Sequence, residues 1–393
     1  MNYKLIIPAF CVMMISQLNV KAQNNSDNLN INKMLGTVDS TNIFQLEDAY
    51  VWCGSAIKGE DGKYYLFYSK WPHGKRSLQK DSMEYIFDGF KGWLKYSEIA
   101  CAVSDQLNGP YKHFKDVLKG DSSSVRWDQF TMHNPQIRKF GSKYYLYYIS
   151  NSFNKDYQLQ GASPQWLQWM KYNSGQRIGV LVANSIDDLL NGRYIRSDKP
   201  IMEPDHRQTF EVAVNPSVTE GPDGNYYMIF KSRKPNVGNM THWMATAQKP
   251  EGPFIMRSQV FTAAEMACED PCIWYDHDRK RFYAAVKYYS NSKKLVPQFG
   301  ALALITSENG LDWKPARNPL ISLRNLKFSK GRELLLHNLE RPFIVTDEKG
   351  VPTALFAAAA ELDPAKMGGN RVERGYNTFN VSIPLTLPLK PQN

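Results

Sequence analysis

The residues best suited to chemistry are the adjacent carboxylates Glu269 and Asp270, in the stretch Cys268-Glu269-Asp270-Pro271. Two close negative charges raise the pKa of one of them, which lets a carboxylic acid stay protonated near neutral pH beside a carboxylate. Such a pair suits acid–base work. Neighbouring residues on a strand point to opposite faces, so the group that tunes Glu269 can instead come from another segment. The same setting recurs: His133-Asn134 precede Pro135, Val214-Asn215 precede Pro216, and Glu340-Arg341 precede Pro342. Cys53-Gly54 holds the corresponding place nearer the N-terminus. Four of the five pairs are strongly polar, at strand starts otherwise full of apolar residues. Burying unpaired charge is costly, so a fold that gathers these pairs makes a wet, functional pocket. The competing reading is that they cap strands and bond the neighbouring backbone.

An internal repeat supplies the elements that would gather them. Asn215-Pro216-Ser217-Val218 leads through Asp223-Gly224 into Tyr226-Tyr227-Met228-Ile229-Phe230. The same outline runs from Asn134 to Tyr148, from Asp270 to Val286, from Arg341 to Phe356 and from Gly54 to Tyr68. Each copy reads as a short strand, a tight turn with Gly or Asp, then an aromatic strand. A second hairpin follows four of the copies, as in Ala102-Val103-Ser104 before Gly109-Pro110-Tyr111. Two hairpins make a four-stranded blade, and radial repetition of blades makes a propeller. The expected fold is therefore all-β, a five-bladed propeller of four-stranded antiparallel blades. The fifth copy lacks an outer half, so the segment around Ile43 or the C-terminal stretch 377–387 is expected to close the ring. The expected layout is a signal peptide over 1–22, a flexible tail over 23–41 rich in Asn, Ser and Asp, and one propeller domain over 42–393.

The N-terminus opens with Lys4, a mostly apolar run from Leu5 to Leu18, and Val20-Lys21-Ala22. That is a leader pattern, with cleavage expected after Ala22 and export to the periplasm or beyond. No later run is long enough to span a membrane. Export permits disulfides, but Cys268 and Cys272 are too far apart on an extended strand to bridge. No second Cys pair stands at metal spacing, so these read as small buried residues. The net charge is +10, yet the basic residues are scattered, which argues against nucleic acid as the partner. A basic surface could instead steer an anionic glycan, and the 13 % aromatic content suits both a β-rich core and sugar stacking. No phosphate loop, zinc-protease helix or serine-hydrolase elbow is present. The stretch Thr306 to Trp313 is similar to the Asp-box hairpin of sialidases, which is structural.

The repeat, with Glu269 ahead of Asp270-Pro271, resembles the five-bladed propeller glycoside hydrolases of families 43 and 117 over essentially the whole mature chain. The resemblance implies hydrolysis of a poly- or oligosaccharide by carboxylate acid–base catalysis, with inversion. A fourth-blade Glu is the general acid in that group, which Glu269 matches. A first-blade Asp is the base; Asp48 is the nearest acid, although it lies just before the repeat core. A third-blade Asp tunes the acid, but Asn215 stands there, so Glu211 or Asp270 is expected to take over. Some family 117 members use a His as acid, which keeps His133 and His337 as candidates. Asn134, Lys231, Arg233, His242, Glu340 and Arg341 are candidate substrate contacts, and Trp52 and Trp71 candidate stacking walls. No cofactor is required, and an axial metal ion is compatible with the fold without being demanded by it. Two other classes fit the repeat: a glycan-binding propeller without catalysis, which Asn215 favours, and a phosphorylase, which export disfavours.

Overall fold

The computed structural model describes residues 27–74, 78–235, 240–361 and 378–386. The expected leader lies outside these residues, as does 23–26 of the expected tail. Five antiparallel sheets form the blades of a propeller. Blade 1 runs from its inner strand outward as Ala49–Lys58, Tyr64–Pro72, Glu98–Ser104 and Lys112–Leu118. Blade 2 is Met132–Phe140, Lys143–Asn151, Gln176–Ala183 and the short Ile195–Arg196. Blade 3 is Phe210–Glu220, Tyr226–Arg233, Met240–Ala247 and Ile255–Val260. Blade 4 is Cys268–Asp276, Arg281–Tyr288, Leu302–Ser307 and Trp313–Ser322. Blade 5 runs outward as Glu333–Thr346, Pro352–Glu361, Thr378–Pro384 and Ile43–Phe44, with the short Asn325–Lys327 paired to the start of Glu333–Thr346. Both expected closing segments are used: the C-terminal strand is third in the blade, and the strand at Ile43 is added from the other end of the chain.

Local chemistry explains the hairpins. The turns at Asp61, Asp223 and Asp347 each turn back on an Asp carboxylate that accepts the backbone N–H two residues on, at 2.9–3.1 Å. At the third of these turns Gly350 has φ +81°, and a Cβ there would lie 2.1 Å from the Tyr275 carbonyl of the preceding blade, so only glycine fits. The aromatic second strands supply much of the packing between blades: Phe67, Tyr68, Tyr147, Tyr148, Phe230, Phe282, Tyr283 and Phe356 are essentially inaccessible.

Neighbouring inner strands are tied by a repeated bond. The side chain one residue after the Pro position accepts a backbone N–H from the next blade. Ser55 accepts from Ile137 (3.2 Å), Gln136 from Val218 (2.7 Å), Ser217 from Ile273 (2.8 Å), and the Cys272 sulfur from Ile344 (3.3 Å). Asn380 of blade 5 accepts from Gly54 N–H (2.9 Å) and completes the circuit. All four described cysteines are free, and Cys272 is an inter-blade acceptor rather than half of a bridge.

The segment expected as a flexible tail is packed from residue 27 onward. Leu29, Ile31, Met34 and Val38 are buried in the core shared with blades 4 and 5. Asp27 accepts the Arg317 backbone N–H (2.8 Å), and Asn28 accepts from Arg279 (2.7 Å). The polar composition that suggested disorder conceals this apolar series, whose burial offsets the cost of ordering the segment.

Candidate functional site

Each inner strand carries a β-bulge at the same place in the repeat, between Trp52 and Ser55, His133 and Gln136, Val214 and Ser217, Glu269 and Cys272, and Glu340 and Phe343. Within each bulge one residue adopts a left-handed backbone: Cys53, Asn134, Asn215, Asp270 and Arg341, with φ between +54° and +57°. Asn and Asp tolerate this conformation, whereas Cys and Arg in it are strained at a cost of about 1–3 kcal/mol each. The bulge re-aims these five side chains to line one central cavity.

The cavity lining forms a continuous polar ring. The Arg341 guanidinium lies 3.2 Å from the Asp270 carboxylate. Hydrogen-bond complementarity sets the Asn134 amide with its oxygen toward Arg341 (3.0 and 3.1 Å) and its nitrogen toward His133 Nε2 (3.2 Å). The Asn215 amide nitrogen donates to the Asp270 carboxylate (3.1 Å). Burial, seconded by Glu269 and Glu340, pushes the Asp270 carboxyl upward against the pull of Arg341. Cys53 completes the ring from blade 1, and burial raises its thiol far above the usual range, so it is neither a carboxylate nor a thiolate. His133 is buried, stacked on Trp93 (4.8 Å between ring centres) and bonded through Nδ1 to Ser97 (2.8 Å). Burial and Arg341 hold its pKa well below normal, so it is a neutral ring.

The residues one step before Asn215, Asp270 and Arg341 face a second cluster. The bulge puts Glu269 opposite Lys287 on the second strand of blade 4, and Val214 opposite Lys231 on that of blade 3. The result is a series of alternating charges: Lys231 to Glu269 at 2.7 Å, Glu269 to Lys287 at 3.4 Å, and Lys287 to Glu340 at 2.5 Å. Asn338 donates to Glu340 as well (2.6 Å). Burial alone would raise the Glu269 carboxyl, but Lys231 and Lys287 overcome it and hold it at about 2. The Glu269 side chain is still 24 % exposed, whereas those of Lys287 and Glu340 are 6 % exposed. Burial lowers His242 to about 3, with Lys231 adding to the effect. Its buried Nε2 has no hydrogen-bond partner among the described residues.

The predicted residues thus divide. Asn134, Asn215, Asp270 and Arg341 meet at the axis, and Glu269, Lys231, Glu340 and His242 meet beside it. Glu211 stands apart, in a left-handed conformation (φ +62°), bonded to Tyr157 (2.7 Å) and paired with Arg233 (2.9 Å). That pairing accounts for Arg233. Asp48 is exposed, lies five residues before Cys53 and does not line the cavity. Trp52 and Trp71 are core rings: both are buried, with Phe90 edge-on at 5.4 and 5.2 Å. His337 gives its backbone carbonyl to Arg324 (2.7 Å). Lys287 was not singled out by sequence. Its signal is a lysine where an aromatic strand should be apolar, in the place Lys231 holds one blade earlier. Three cations and three carboxylates make up the two clusters, so the site carries no net charge to favour an anionic ligand.

No known family profile matches the chain, and no curated protein matches it. Solved structures do resemble it. An α-L-arabinofuranosidase from Lactobacillus brevis superposes with a TM-score of 0.52 at 13 % identity, over 88 % of this chain and 93 % of its own. A family 117 glycoside hydrolase from the marine bacterium Zobellia galactanivorans gives 0.56 at 14 % identity, over 89 % and 91 %. A third structure, named simply as a glycoside hydrolase, gives 0.55 at 10 % identity, over 93 % and 96 %. At these identities the likeness is one of architecture: the chain has the five-bladed propeller fold found in these glycoside hydrolases, one of them of family 117.

Proposed function

We propose that the protein is an exported glycoside hydrolase that cleaves a poly- or oligosaccharide at the mouth of the propeller axis, with Glu269 as its central carboxylate. The observation that carries this reading is the placement of Glu269. It is partly exposed, aimed at a polar cluster beside the axis, and held ionised between two ammonium groups by neighbouring strands. Glycosidic cleavage needs carboxyl groups so placed, and the shared fold supports the same class of chemistry. The balanced charges of the site favour a neutral sugar over an anionic one.

A second reading, a glycan-binding propeller without catalysis, is favoured by the axial ring. Its blade 1 position is a protonated thiol and its blade 3 position an amide, so two of the carboxylates that the resemblance implies are missing there. A screen of the purified protein on neutral and anionic oligosaccharides, with Glu269→Gln alongside, separates the two. Cleavage by the wild type that Glu269→Gln abolishes while binding persists supports the hydrolase. Binding with no cleavage by either protein supports the lectin-like reading.

A further inference from the structure

With Trp52 and Trp71 taken up by the core, none of the expected stacking walls stands beside the charged cluster. The structure supplies an aromatic surface from a loop that the repeat does not mark. In blade 4 Cys268 pairs with Tyr288 and Glu269 with Lys287, so the second strand ends where the inner strand begins, on the face that carries the site. The next residue, Tyr289, is 49 % exposed. The partly exposed ring of Phe299 lies 5.0 Å from it, centre to centre. Lys287, which bridges Glu269 and Glu340, also holds its Nζ 5.3 Å from the centre of the Tyr289 ring. The two meet because side chains two apart on an extended chain share a face. The loop that carries both rings is pinned. Tyr289 donates its N–H to the Ala267 carbonyl (2.9 Å), and Gly300 donates to the Tyr288 carbonyl (2.8 Å). The hydroxyls of Tyr288 and Ser292 are bonded (2.7 Å), and Leu295 and Val296 are buried. Gln298 accepts the Arg324 N–H (2.8 Å), which ties the loop to the segment leading into blade 5. A single exposed aromatic is ordinary on a protein surface. A pair of rings fixed against the ammonium that contacts Glu269 is not.

We propose that Tyr289 and Phe299 form the wall against which a neutral sugar ring of the substrate lies, on the blade 4–5 side of the axial mouth. The proposal rests on the glycan reading above, and it holds whether the glycan is cleaved or only bound. A sugar ring presents an apolar face of C–H bonds and a rim of hydroxyls. Tyr289 offers the C–H face an aromatic surface. The partly exposed carboxylate of Glu269, on the far side of Lys287, offers the hydroxyls an acceptor. Because the loop is already held in place, little conformational freedom is lost on binding.

The wild type, Tyr289→Ala, Tyr289→Phe and Phe299→Ala are titrated by calorimetry with neutral pentose and hexose oligosaccharides, and initial rates are measured on any that is cleaved. Tyr289→Ala is expected to raise Kd, or KM, about tenfold, the scale of one lost aromatic contact. Its kcat should change by less than about threefold, since a contact made equally before and during reaction moves KM alone. Tyr289→Phe keeps the ring and should bind within about twofold of the wild type. Phe299→Ala removes the ring that steadies Tyr289 and should also weaken binding, by less than Tyr289→Ala. Tyr289 is half exposed, so Tm should stay within about 2 °C of the wild type in both of its variants. Equal affinity of the wild type and Tyr289→Ala for the same oligosaccharide overturns the wall and leaves the glycan reading standing. A loss as large in Tyr289→Phe as in Tyr289→Ala overturns stacking, because the hydroxyl is then the contact. A wild type that neither binds nor cleaves any of the sugars defeats the glycan reading itself, and the proposal with it.

Discussion

Replacing Lys287 by methionine removes the ammonium that stands between Glu340, at 2.5 Å, and Glu269, at 3.4 Å. Methionine fills similar space along the strand, so the change is chiefly electrostatic. Burial lowers the affinity of the Lys287 amine for its proton, but Glu340 and Glu269 more than reverse this and raise its pKa. Lys287 and Glu340 are almost wholly inaccessible, so solvent screens the pair little. Removing one partner of a buried pair typically costs about 3–5 kcal/mol, because the other charge stays behind. For roughly 350 folded residues the unfolding entropy is about 0.7 kcal/mol per kelvin, so the loss corresponds to a fall in Tm of about 4–7 °C. Calorimetry at pH 7 measures it. The double variant Lys287→Met/Glu340→Met should recover most of the loss, since neither charge then has to be desolvated. A fall in Tm below about 1 °C for the single variant, or no recovery in the double, would refute the bridge as described.

Two further outcomes follow from the same geometry. The Glu269 carboxyl is depressed from 4.5 to about 2 on folding, so its contribution of about 3 kcal/mol is complete above pH 4.5. It is lost as pH falls through that interval toward 2, and urea unfolding at pH 6 and pH 3 should show the decline in wild type and a much weaker one in Glu269→Gln. Ser217→Ala removes a hydroxyl that accepts from Gln136 (2.7 Å) and from the Ile273 N–H (2.8 Å) in a fully buried position. It should cost about 1–3 kcal/mol in chemical denaturation without altering glycan binding.

The repeat was legible because each blade must solve the same local problem. A tight turn demands Gly or Asp, a buried second strand demands aromatics, and a Pro, or Gly54 in blade 1, marks where each inner strand bends. Those requirements act between residues close in the chain, so they leave a periodic trace from Gly54 to Phe356. The four strongly polar pairs at those bends were visible for the same reason, and the two segments offered as alternatives for closing the ring are both used. The inter-blade acceptors Ser55, Gln136, Ser217 and Cys272 also recur at one register, but their types differ because any side chain that can accept an N–H serves there.

What the order of residues could not convey was which charges face one another across blades. Lys231 and Glu269 are 38 residues apart, and Lys287 and Glu340 are 53 apart. Only the closed ring brings each pair within hydrogen-bonding distance, and that closeness sets the charge of Glu269. Proximity in sequence misled in turn at Asp48, a carboxylate near the first repeat that the strand leaves exposed. The sequence by itself determined the blades and the positions that reach the axis, because hairpins and strand bends are local. The tertiary structure alone decided the protonation state at those positions, because electrostatic energy depends on distance through space and on burial, and neither is written in the order of residues.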